Sequence, residues 1–128
     1  MAEITAGVNW LAVFVGFFVS FILGWLWYSP RLFGKSWAAG VGIELNTNQP
    51  PPVAALVVQA LGTFCLSWVV GVTAASNALI TLLLIVFTIT IILAGAGLFV
   101  KKSSTAIFIE VGYIFAMTII MIASQGLL

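Results

Sequence analysis

The chain has 128 residues, of which 63% are hydrophobic and only 5% charged; its net charge is +1, and it holds one cysteine and no histidine. Soluble domains run at about 45–50% apolar and about 25% charged residues, so an ordinary soluble fold is excluded. Nucleic acid is excluded as a partner by the absence of any basic block, an internal disulfide or cysteine-held metal by the lone Cys65, and histidine-based acid–base or metal chemistry by composition.

The opening MAEITAG holds Glu3 and no cation, unlike the basic start of a cleavable signal, so the first apolar stretch is expected to be retained. Val8 to Tyr28 carries no charge and is long enough to span, since about 20 residues cross the hydrocarbon core. Asn9 and Trp10 read as interfacial anchors. Gly16, Ser20 and Gly24 recur every four positions on one face, a pattern of close helix packing. Trp25, Trp27 and Tyr28 end the span with amphipathic rings suited to the headgroup level. Ser29 and Pro30 then suit the cap and first position of a new helix. A short interfacial helix is expected over about 30–40, with Phe33, Trp37 and Val41 toward the acyl chains and Arg31 and Lys35 toward phosphates. Gly40 and Gly42 are its expected stop.

IELNTNQPPP, residues 43–52, reads as an exposed connector whose Pro51 and Pro52 can open a helix. The second span is expected over about 53–73. Its stripe of Gln59, Thr63, Ser67 and Gly71 should face protein or water, because lipid would leave the Gln59 amide unsatisfied. AASN at 74–77 allows only a tight helical hairpin. The third span, about 78–100, ends in AGAG at Ala94–Gly97, which allows close backbone contact or a kink. Lys101 to Ser104 form a turn, and the fourth span covers about 105–124. Cys65 reads as inert packing.

These elements make one all-α domain over 1–128, an integral membrane four-helix bundle with a short interfacial helix between spans one and two. Arg31, Lys35, Lys101 and Lys102 all fall in the first and third connections, which the positive-inside rule places in the cytoplasm, with both termini outside. Counting from the helix starts puts Gln59 and Glu110 at one depth, roughly 8–10 Å inside the boundary, with Ser20, Gly24 and Gly95 at a similar level. Tyr113, Met117 and Met121 continue the Glu110 face. A carboxyl there costs up to about 3 kcal/mol and needs a reason. It can bond Gln59 or Tyr113, or pair with a cation such as Arg31 or Lys35, and fix packing. It can instead carry a proton or a cationic ligand, or reach the interface and do little.

VNW at Val8–Trp10, WYSP at Trp27–Pro30 and LFGKSW at Leu32–Trp37 resemble the signature of a bacterial family of small four-span membrane proteins classed as a domain of unknown function. The resemblance implies the four-helix architecture and a bacterial cytoplasmic (inner) membrane, and brings no substrate, cofactor or catalytic residue. Small multidrug exporters are similar in size and composition, but they carry their carboxylate in the first span, where this chain has none. No paired acid, core lysine, metal-ligand set or phosphate loop is present, so no enzyme, catalytic residue, metal or cofactor is expected. The expected role is association with the lipid bilayer and with its own copies or a larger membrane assembly. The alternative is a small proton- or cation-coupled transporter or channel using Glu110, with no substrate class readable.

Overall fold

The computed structural model describes residues 2–43 and 52–128, which form six helices and no strand. In chain order these are α1 (Ala2–Thr5), α2 (Trp10–Trp27), α3 (Gly34–Val41), α4 (Val53–Ala75), α5 (Leu79–Phe99) and α6 (Ser104–Leu127). Four of them, α2, α4, α5 and α6, are long and apolar enough to cross a membrane, and the chain is an all-α, multi-pass membrane protein.

Local chemistry sets the boundaries. The Asn9 side chain accepts the Ala12 N–H at 3.2 Å, so the amide expected as an interfacial anchor caps α2. Ser103 caps α6 in the same way, accepting from Ala106 at 3.0 Å. The helix expected from Pro30 begins only at Gly34. The Ser29 hydroxyl donates back to the Leu26 carbonyl at 2.6 Å, closing α2 rather than opening the next helix. Residues 28–33 form a turn held by Phe33 N–H to Trp27 C=O at 3.1 Å and Gly34 N–H to Ser29 C=O at 2.9 Å. Gly42, with φ 78°, ends α3 in the left-handed conformation that glycine adopts without strain. At the other end of the bundle Asn77, with φ 52°, turns α4 into α5. The proline-rich connector falls mostly on residues 44–51, outside the described residues, and Pro52 occupies the N-cap position of α4.

The centre of the bundle is α6, which touches α2, α3, α4 and α5. Its Tyr113, Met117 and Met121 pack with Leu66 and Val70 of α4 and with Leu82 and Val86 of α5. Lipid tails are as apolar as leucine, so such helices associate through close backbone approach and hydrogen bonds. Both are present. Gly16 lies against Ser67 and Met121, and Gly71 against Val13. Hydroxyls cross between helices to carbonyls: Ser67 to Val13 at 2.6 Å, Ser124 to Ala12 at 2.8 Å and Tyr113 to Ser20 at 2.8 Å.

The stripe on α2 is thus used inside the bundle, while the one on α4 divides. Thr63, Ser67 and Gly71 are buried; Gln59 is exposed, and no residue from Val53 to Gly62 is buried. Of the stripe expected to face protein or water, three residues pack in the bundle and Gln59 does not, because α4 meets α2 through its later turns, at Phe64, Ser67, Trp68 and Gly71. Cys65, expected as packing, is exposed. AGAG produces no break in α5; Gly97 packs on Ile107, and Gly95 has open space around it.

Candidate functional site

The polar centre lies where the two cation-bearing connections meet. The Ser103 N–H donates to the Gly40 carbonyl at 3.0 Å, and a Cβ on Gly40 would collide with the Ser103 hydroxyl, so α3 sits directly on the start of α6. Two turns into α6 comes Glu110. Helical side chains tilt toward the N-terminus, which drops its carboxylate back toward that junction.

Three donor contacts close this carboxylate. Lys102 Nζ donates to Oε2 at 2.8 Å and to Oε1 at 3.1 Å, and Trp37 Nε1 donates to Oε2 at 2.9 Å. The Lys102 side chain is 25% exposed and that of Glu110 11%, so the pair is partly desolvated and stronger than a surface ion pair. The Tyr28 ring meets Trp37 edge-on at 5.3 Å and Tyr113 at 5.5 Å. Its phenol, one residue past α2, is held above the ordinary tyrosine range, first by burial, then by the nearby Glu110 carboxylate and by Tyr113.

Several expectations about this site are corrected. Gln59 does not meet Glu110: its side chain is exposed, and its backbone carbonyl accepts from Thr63 at 2.7 Å. Tyr113 gives its hydroxyl to the Ser20 carbonyl, and the space for its ring comes from Gly24, whose Cβ would collide with it. Arg31 and Lys35 are exposed, and the cation that pairs with Glu110 is Lys102. The aromatic anchors also separate. Trp25 is 82% exposed, whereas Trp27 donates its indole N–H to the Ile109 carbonyl at 3.0 Å and Trp37 turns inward to the acid. Phe33 packs on Trp27 at 4.7 Å.

Lys102 was legible only as a cation at the start of the span that carries Glu110, because it precedes the Ser103 cap and lies outside the periodicity of α6. Trp37 was not, since no spacing relates it to a residue 73 positions later. The Ser20 hydroxyl is fully buried without a hydrogen-bond partner among the described residues. Ser20→Ala is therefore expected to leave thermal stability unchanged or raise it by up to about 1 kcal/mol; a clear loss in thermal unfolding would contradict that.

Hollows indent the described bundle at both ends. One, of about 470 Å³, is lined by Trp27, Phe33, Ser36, Thr105, Phe108 and Ile109. Another, of about 330 Å³, lies at the opposite end beside the α4–α5 turn. Glu110 lines neither. Among the described residues no three His, Cys, Asp or Glu side chains come together.

The sequence profile of a family described as "Protein of unknown function (DUF1761)" matches residues 11–124. The chain belongs to the DUF1761 family. Membership of a family of unknown function is what the resemblance over residues 8–37 implied, and the match extends it across nearly the whole DUF1761 chain. No curated protein and no solved structure matches it.

Proposed function

We propose that this DUF1761 member is a structural or interaction subunit of the bacterial cytoplasmic membrane, self-associating or joining a larger membrane assembly, and that it is not an enzyme. The observation that carries this reading is the closed carboxylate: Lys102 engages both Glu110 oxygens and Trp37 one of them, and Glu110 lines neither hollow. A carrier acid must be reachable and must exchange partners during a cycle. This one joins α3 and the α5–α6 turn to the central helix. The gathering of Arg31, Lys35, Lys101 and Lys102 in the first and third connections supports a cytoplasmic location for that end, with both chain ends outside.

In native-lipid discs the chain is expected to run larger than one copy. A lone copy at every concentration would overturn the reading, as would proton or cation flux into vesicles that Glu110→Gln abolishes. With Cys65→Ser as background, Asn77→Cys is expected to react with an impermeant maleimide added outside intact cells; reaction only after lysis would reverse the orientation.

A further inference from the structure

The hollow of about 470 Å³ falls within the range of about 300–1,000 Å³ that small-ligand sites occupy. Its apolar wall is fixed by the fold. The Trp27 indole donates to the Ile109 carbonyl at 3.0 Å and lies 3.3 Å from where a Cβ on Gly112 would be, so α6 holds the ring in place. Phe33 packs on that ring at 4.7 Å, and Phe108, 75% exposed, completes the wall with Ile109. Ser36 of α3 and Thr105 of α6, both exposed, add hydroxyl side chains to the lining. Exposed cations flank it in the chain: Lys35 directly precedes Ser36, and Arg31 stands two residues before Phe33 in the turn at 28–33. Of the described acids, Glu3 belongs to α1 at the other end of the bundle, and Glu110 is held by Lys102 and Trp37 outside the lining.

We infer that this hollow binds an anionic phospholipid, its acyl chain against Trp27, Phe33 and Phe108 and its phosphate toward Ser36, Thr105 and the Arg31 and Lys35 cations. Hydroxyls donate to phosphate oxygens, and guanidinium and ammonium groups pair with them. Basic pockets between membrane helices take anionic headgroups in this way. Arginine and lysine stems are long and flexible, so the charges can follow the headgroup. A free phosphate would leave the four apolar residues of the lining in water, whereas a lipid covers them and meets the cations with one molecule. The site is independent of whether the chain associates.

Native mass spectrometry of the full chain, released from micelles holding equal phosphatidylglycerol and phosphatidylcholine, tests it. One phosphatidylglycerol is expected to stay bound in preference to phosphatidylcholine. Arg31→Gln and Lys35→Gln are each expected to weaken that adduct about fivefold, the equivalent of about 1 kcal/mol per cation near an anionic headgroup. Ser36→Leu fills the hollow while leaving every cation in place, and it is expected to abolish the preference. Thr105→Val, which keeps the shape and removes the hydroxyl, is expected to weaken it severalfold. All four residues are exposed, and thermal unfolding checks that each variant is folded. A preference that survives Ser36→Leu would show that surface cations alone collect the lipid, and would overturn the site. Equal retention of the two lipids would do the same, as would displacement by inorganic phosphate at matched ionic strength, the mark of a free-anion site. A dimer that Ser36→Leu dissolves, with no lipid retained, would place a second copy in the hollow and overturn the lipid.

Discussion

Lys102→Met is expected to destabilise the protein more than Glu110→Gln does, although the two substitutions break the same ion pair. Removing the lysine leaves a carboxylate that is only 11% exposed, with the Trp37 indole as its remaining donor. Removing the charge on Glu110 leaves an amide oxygen that still accepts from Trp37. It also leaves a lysine, already 25% exposed, whose flexible stem can carry the ammonium out to the headgroups. Stripping one partner from a fully buried pair costs about 3–5 kcal/mol. Partial exposure reduces this, so about 1–3 kcal/mol is expected for Lys102→Met and about half as much for Glu110→Gln. The double variant should recover most of the loss, because it leaves no unpaired charge. Unfolding in mixed micelles across the double-mutant cycle measures all three. Equal losses in the two single variants, or additive losses in the double, would show that the pair is not closed as described.

Gly34→Ala is expected to be the most damaging single-methyl change in the chain. A Cβ at Gly34 would collide with the Tyr28 carbonyl and lie 2.7 Å from Ser29 backbone atoms, which cannot rotate away as a side chain can. Relief requires opening the turn at residues 28–33, and that turn sets the start of α3 and hence the position of Trp37. A cost of about 2–3 kcal/mol is expected, together with loss of the indole contact to Glu110. Gly95→Ala is the matched control, since nothing lies near its Cβ and alanine favours helix; it should be neutral or stabilising by up to about 1 kcal/mol. Thermal unfolding gives the cost, and Trp37 emission in a variant lacking the other tryptophans reads the indole contact directly. If Gly34→Ala left both unchanged, the close turn would not exist.

Much of the architecture was written in the residues. Hydropathy and charge placement gave four spans, and the fold holds four helices long and apolar enough to cross a membrane, because a spanning helix must satisfy its backbone internally and needs about 20 apolar residues to do so. The small residues of α2 and the face of Tyr113, Met117 and Met121 were legible by the same helical periodicity. The turn was not: Ser29 before Pro30 reads as the opening of a helix, yet its hydroxyl closes the preceding one at the Leu26 carbonyl. Local signals of that kind are ambiguous until the backbone on both sides is placed.

What the sequence determined by itself is a multi-pass helical membrane protein carrying one acid on its fourth span, since apolar length and charge are local properties that no later fold can alter. Only the tertiary structure decided what surrounds that acid. Counting along each helix gives Gln59 and Glu110 one expected depth, but the rotation and divergence of neighbouring helices decide who meets whom. Here the first turns of α4 hold no buried residue and α3 folds inward, so Glu110 takes Lys102 and Trp37 as partners and the Gln59 side chain is left exposed.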